Sequence, residues 1–454
     1  EGFLYLITGL ACMLIGFWGR RRKPKSSVFY SKEGFAAVAL SWIILSLIGA
    51  LPMYLTGEFP SYIDALFETI SGFTTTGSSI LSDVETLSRG TAFWRCFTHW
   101  IGGMGVLVFI MAVMPLSDSS SMHLMRAESP GPAVGKLVPK VKTTAMILYG
   151  IYVVFTVIEI IALLIAGMPL FDSMTLTFGT VGTGGFGLLN SSIASYSTAV
   201  QIIITVFMII CSINFTVYYM FLIKRPKEAL MCEEMRYYLL IVFGSALLIA
   251  FNIRASFASF GKAFQQAIFQ VASVISTTGF ATADFNLWPE FSRMILVLLM
   301  FVGACAGSTG GGFKVSRLII MVKSVRNEIM SVTHPRSVQK VHMDGRRIPD
   351  NVVKTVLCYL AGYVVILIVS VLLISLDNFD MTTNFTAVMA TFNNVGPGLN
   401  RVGPTGNFGG FSVLSKLVLM FDMLVGRLEL YPMLVIFAPG LWRIHPHRHV
   451  GKVQ

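Results

Sequence analysis

The sequence predicts an all-α polytopic membrane protein. Four pseudo-symmetric repeats are expected to surround one central pore, preceded by part of an extra N-terminal helical hairpin. Three observations carry this. First, 54% of the 454 residues are hydrophobic and 13% charged, about half the charged share usual in a soluble domain. Second, the apolar residues gather into runs that approach or exceed the roughly 20 needed to cross a bilayer. Third, a short Thr/Gly-rich stretch recurs four times between such runs.

The apolar runs fall at 3–17, 35–55, 93–114, 145–166, 200–223, 237–251, 294–304, 353–376 and 413–437. Run 3–17 precedes a basic GRRRKPK, the wrong order for a secretory signal. Because Glu1 is not a start methionine, this run reads as the second helix of a hairpin whose first is missing. The expected units are 1–34 (extra helix and basic loop), 35–120, 141–225, 233–330 and 350–440 (repeats 1 to 4), and a basic tail, 441–454. The net charge of +11 is not a nucleic-acid footprint, since 26 of the 34 Lys and Arg lie in 20–32, 126–142, 224–236, 314–354 and 443–452. The alternate connections hold Asp83, Glu85, Asp284, Glu290, Asp377 and Asp380. That asymmetry follows the positive-inside rule and assigns the basic segments to the cytoplasm. The six cysteines are scattered and show no metal-ligand spacing.

The repeated stretches are TTTGSS at 74–79, VGTGGFG at 181–187, ISTTGFAT at 275–282 and NNVGPGLN at 393–400. They align on Gly77, Gly184, Gly279 and Gly396. Short segments of mixed polarity precede them, at 64–72, 172–178, 264–274 and 385–392, long enough as helices for about half a membrane. Each unit therefore reads as spanning helix, half-helix, Gly-containing loop, spanning helix. Any one loop could be an ordinary turn, but a turn needs neither a preceding half-helix nor a shared register.

Non-helical backbone at membrane depth is tolerated only where protein buries it or a wet cavity meets it. Four such loops around one axis would offer rings of carbonyl oxygens that replace a cation's hydration shell. The expected ion-facing residues are Thr75, Thr76 and Gly77; Gly182, Thr183 and Gly184; Thr277, Thr278 and Gly279; and Asn394, Val395 and Gly396. No carboxylate lies among them, which favours K⁺ or Na⁺ over Ca²⁺.

On SGFTTTGSS, TVGTGGF, STTGFAT and NNVGPG, almost the whole chain resembles the TrkH/KtrB/HKT superfamily of potassium transporters. The extra N-terminal segment places it nearer the TrkH branch. The resemblance implies K⁺ uptake through a K⁺/Rb⁺-selective pore in a bacterial inner membrane, with K⁺ bound in the filter. It also implies a homodimer resting on a cytosolic TrkA-type subunit that binds adenine nucleotides and NAD(H), with no nucleotide on this chain. An Na⁺- or H⁺-coupled symporter of the same superfamily is the alternative.

Residues 303–314, GACAGSTGGGFK, interrupt the third repeat's second spanning helix. Each interior glycine costs a helix about 1 kcal/mol relative to Ala, so this run is expected to be a loop at membrane depth. The spacing only mimics a phosphate-binding loop, because Phe313 separates the last glycine from Lys314 and no strand precedes it. Gly303, Gly307, Ser308, Thr309, Gly310, Gly311, Gly312 and Lys314 are expected to form a gate beneath the filter, the alternative being a passive packing site. In the resembled superfamily this segment occludes the pore, and Lys314 lies near its inner side.

Arg427 is a charge within an apolar run, so it should face a cavity or a partner. Its spacing to Asp422 and Glu429 is poor for helix-face pairing. A structural ion pair elsewhere in the bundle is one reading; a position along the ion path, which the resemblance favours, is the other. No catalytic motif is present, so an enzyme is not expected. One visibly broken second spanning helix, with all units in one orientation, favours a channel-like conduit over a secondary transporter.

Overall fold

The computed structural model describes residues 2–21, 31–105, 141–336 and 339–439. Among these, the fold is helical, and the strands are a two-residue antiparallel pair, β1 (His342–Met343) and β2 (Arg346–Arg347). The helices are α1 (Gly2–Arg20), α2 (Ser31–Leu55), α3 (Tyr62–Phe73), α4 (Arg89–Gly103), α5 (Val141–Ile165) and α6 (Leu170–Val181). Next come α7 (Thr198–Cys211), α8 (Phe215–Leu222), α9 (Pro226–Leu230), α10 (Glu233–Ile253), α11 (Phe260–Ile275) and α12 (Glu290–Val302). The last are α13 (Val315–Thr333), α14 (Asp350–Ile374), α15 (Met381–Phe392), α16 (Val413–Leu428) and α17 (Leu430–Ile436).

The four short segments are helices of 12, 12, 16 and 12 residues: α3, α6, α11 and α15. Their starts are written in the sequence. Ser61 Oγ accepts the Asp64 amide, Ser259 Oγ that of Lys262, and Asp380 Oδ1 that of Thr383. Each satisfies a helix-end donor that has no intrahelical partner. α6 instead follows Pro169, a residue that costs a helix nothing before its first turn.

Polarity is arranged for a lipid solvent. Ile165 and Val154 of α5 are 82% and 53% exposed, whereas Thr75, Thr183, Thr277 and Asn394 are fully buried. Lipid tails are as apolar as Leu, so burying polar groups against one another is what such a fold has to gain. Five helices among the described residues (α1, α2, α5, α10 and α14) are long and apolar enough to cross a membrane.

The second helices of the units differ from expectation. Run 200–223 is two helices, α7 and α8, bent by 89°. The break is supplied with partners: Asn214 Oδ1 caps the Thr216 amide at 2.9 Å, and the Ser212 carbonyl accepts the Cys305 amide at 3.0 Å. Run 413–437 breaks at Glu429 (φ 67°) between α16 and α17. α12 ends at Val302 and the chain resumes as α13 at Val315. α4 ends at Gly103, and residues 106–114 of run 93–114 lie outside the described residues. Reading only one second helix as broken is therefore corrected. Apolar composition hid two of the breaks, because the residues at each are satisfied by distant parts of the chain.

Candidate functional site

The ends of α3, α6, α11 and α15 close in the same way. Thr76 N bonds Ser71 O at 2.9 Å, Gly184 N bonds Gly179 O at 2.7 Å, Thr278 N bonds Ser273 O at 2.9 Å, and Val395 N bonds Ala390 O at 2.8 Å. Each is the six-to-one closure of a helix that ends through one left-handed residue. Those residues are Thr75, Thr183, Thr277 and Asn394, with φ of 53°, 55°, 60° and 55°. Asparagine tolerates this region, but a β-branched threonine there is an outlier, costing on the order of 1–3 kcal/mol. Three of four positions thus carry a residue that glycine would relieve.

Two residues further on, Gly77, Gly185, Gly279 and Gly396 are again left-handed, with φ of 79°, 82°, 86° and 102°. The equivalent glycine of the second stretch is Gly185, not Gly184, so the alignment on Gly184 shifts by one. Gly182 (φ −72°) is the cap of α6 and corresponds to Thr74, the cap of α3. GTGG offered three glycines, and helix closure, invisible in composition, decides among them.

The four glycines form a closed cycle. A Cβ on Gly77 would lie 2.1 Å from the Gly184 carbonyl oxygen, and one on Gly185 would lie 1.8 Å from that of Thr278. One on Gly279 would lie 2.2 Å from the Val395 oxygen, and one on Gly396 2.8 Å from that of Thr76. Each loop's glycine thus abuts the carbonyl before the next loop's glycine, around all four. Gly77, Gly185, Gly279 and Gly396 also line one cavity of about 150 Å³, together with Ser78 and Ser79.

Side chains at the left-handed positions account for the absence of glycine there. Thr183 Oγ1 donates to the Thr309 carbonyl at 2.9 Å, and Thr277 Oγ1 accepts the Gly311 amide at 2.6 Å. Thr75 Oγ1 accepts from Arg427 Nη1 at 3.1 Å, and the same nitrogen donates to the Thr309 carbonyl at 2.7 Å. Asn394 Nδ2 reaches Thr76 Oγ1 and the Met423 carbonyl, both at 2.9 Å. A Cβ on Gly311 would lie 2.7 Å from the Asn393 carbonyl oxygen. The 303–314 segment therefore lies against the helix ends of the second, third and fourth stretches, and Arg427 bridges it to the first.

Within that segment Gly303, Gly307, Gly312 and Lys314 have φ between 68° and 84°. Lys314, 1% exposed, donates from Nζ to the Gly310 and Gly311 carbonyls. Ser308 Oγ donates to the Cys305 carbonyl at 2.6 Å, and Thr309 Oγ1 to that of Cys211 at 3.1 Å. Arg427 Nη2 donates to the carbonyls of Gly102 and Gly103. Its guanidinium thus joins the end of α4, the first loop and the 303–314 segment. Asp422 accepts instead from Ser370 Oγ at 2.8 Å, and Glu429 pairs with Arg317 at 2.6 Å.

Several residues here escaped the sequence reading. Glu68, buried in α3, pairs with Arg95 at 2.6 Å and accepts Ser79 Oγ at 2.9 Å and the Ile80 amide at 3.1 Å. It fixes the chain leaving the first loop. The His99 ring bonds the Gly72 carbonyl through Nδ1 at 2.8 Å and the Phe186 amide through Nε2 at 3.2 Å. Because Nε2 accepts, Nδ1 carries the proton and donates. Arg95 and His99, four residues apart in an apolar run, were the available signal. On the loops flanking the cavity, Asn190 Nδ2 donates to Asp83 at 2.7 Å and holds that carboxyl below the ordinary range.

Residues 5–444 match the model of a family described as TrkH, cation transport protein. The chain is 35% identical to the Trk system potassium uptake protein TrkH of Salmonella typhimurium and to that of Escherichia coli K12. Each match covers 97% of this chain and 92% of the relative. Among solved structures it superposes on the potassium transporter TrkH from Vibrio parahaemolyticus with a TM-score of 0.87 at 32% identity, covering 97% of this chain and 92% of that one. The chain is a multi-pass membrane protein and belongs to the TrkH cation transport family.

Proposed function

We propose that this protein takes up potassium across the bacterial inner membrane through a K⁺/Rb⁺-selective, channel-like pore. The selectivity filter is formed by Thr75–Gly77, Thr183–Gly185, Thr277–Gly279 and Asn394–Gly396. The observation that carries this is the closed cycle in which each glycine abuts its neighbour's carbonyl oxygen. Four chain segments arranged that way supply stacked oxygens in place of water, with no side chain in the way. The absence of carboxylates from those segments supports a monovalent ion, and the relatives' printed role in potassium uptake supports K⁺.

The 303–314 segment acts as the gate. It is packed against the second, third and fourth loops, is tied to the first by Arg427, and is held by hydroxyl, guanidinium and ammonium groups rather than by a helix of its own. Arg427 adds a positive charge at the inner end of the filter, where it opposes cation passage until the segment moves. Homodimerisation, and regulation by a cytosolic TrkA-type subunit that carries the nucleotide, complete the proposal; both rest on family resemblance. The test is Rb⁺ and Li⁺ uptake into liposomes by the wild type and by Gly185→Ala. The proposal expects Rb⁺ to be preferred by the wild type and the preference to be lost in the variant. Equal uptake of both ions by the wild type would overturn it.

A further inference from the structure

α13 begins without a cap of its own: its N-cap residue, Lys314, makes no side-chain bond to the helix, and the chain there is left-handed. The missing acceptor comes from another helix. Glu234, the second residue of α10 and 3% exposed, accepts the Ser316 amide through Oε1 at 3.0 Å. The same oxygen accepts the Ala306 amide at 2.7 Å. Ala306 lies early in the 303–314 segment and Ser316 just beyond its end, so one carboxylate oxygen joins the two ends of the loop. A carboxylate at a helix N-terminus is also stabilised by the helix dipole.

The arrangement has a second tier. α10 likewise lacks a side-chain cap from its own N-cap residue, Cys232, and its first amide, Glu233 N, is accepted by Asp344 Oδ1 at 2.7 Å. Asp344 lies in the turn between β1 and β2. Glu233 in turn pairs with Lys323 of α13, whose Nζ also donates to the His342 carbonyl at 2.7 Å. The β1–β2 turn therefore caps α10, and α10 caps α13 at the foot of the loop.

We propose that Glu234 is a positioning residue that latches the 303–314 loop in its closed conformation, and that the β1–β2 turn holds the latch through Asp344. This rests on the gating reading above. Hydrogen bonds to a charged acceptor are roughly twice as strong as neutral ones, and the open population rises by the factor that the closed state loses.

The test uses the full chain in liposomes, with Rb⁺ and Li⁺ uptake as readouts. Glu234→Ala is expected to raise Rb⁺ uptake about tenfold. Glu234→Gln, which keeps the shape and one carbonyl acceptor, should raise it about threefold, and Asp344→Ala by a smaller factor in the same direction. The Rb⁺ preference over Li⁺ should stay at its wild-type value throughout, which a general loosening of the fold would not leave intact. Wild-type uptake by both Glu234 variants, beside raised uptake on deletion of 307–312, would overturn the latch while leaving the gate. Raised uptake with lost preference would also overturn it. Unchanged uptake on that deletion would overturn the gate and the latch together.

Discussion

Two glycine-rich regions meet in this protein, and they are built on opposite principles. In the ring of Gly77, Gly185, Gly279 and Gly396, each backbone is locked by its neighbour's carbonyl and by a helix closure behind it. The 303–314 segment is also rich in glycine, yet much of what holds it is borrowed: Thr183 and Thr277 reach in from neighbouring loops, and Arg427 and Glu234 from α16 and α10. Glycine serves close approach in both places, for a Cβ on Gly303, Gly310 or Gly311 would also lie less than 3 Å from a neighbouring atom. The difference lies in which groups satisfy the backbone, since buried amides and carbonyls must be paired in either case.

The largest expected effect is on the ring. Gly77→Ala places a methyl group 2.1 Å from the Gly184 oxygen, and Rb⁺ preference over Li⁺ should fall at least about tenfold, as expected when carbonyl coordination is disturbed. Second is deletion of 307–312, which should raise Rb⁺ uptake by about tenfold with the preference retained, through loss of the closed state. Unchanged uptake by a folded deletion would erase the contrast between the two regions. Third, Thr277→Val removes the acceptor of the Gly311 amide while keeping the side chain's shape; uptake should rise a few-fold, the loss of about one hydrogen bond. Thr277→Gly sharpens this result, because it relieves the left-handed strain yet should raise uptake equally. If it lowers uptake instead, strain rather than contact sets the gate. The smallest effect is expected from Glu68→Gln, which weakens the Arg95 pair behind the first loop and should shift the ion preference only about two- to threefold.

Much of this contrast was legible in the sequence. A glycine-bearing stretch after each of four short mixed-polarity segments located the loops, whereas the helices capped by Ser61, Ser259 and Asp380 begin two to four residues before the expected 64, 264 and 385. Five glycines in twelve residues located the interruption at 303–314. The register of the second loop was not read correctly, because Gly182, Gly184 and Gly185 are chemically identical and backbone geometry, the helix closure and the left-handed φ of Gly185, separates them. The breaks at Ser212 and Glu429 were hidden for a related reason. The groups that satisfy them, the Cys305 amide and the Arg317 guanidinium, lie 93 and 112 residues away in sequence. The threonines at positions 75, 183 and 277 take a left-handed backbone shape that β-branched residues disfavour. They resist that shape, and their hydroxyls explain their presence.

The most direct test of the central claim is to locate Rb⁺ by its anomalous scattering in crystals of the protein. Rb⁺ is expected on the axis of the four loops, coordinated by the carbonyl oxygens of Thr76, Gly184, Thr278 and Val395. Rb⁺ bound elsewhere, with none among those four oxygens, would contradict it.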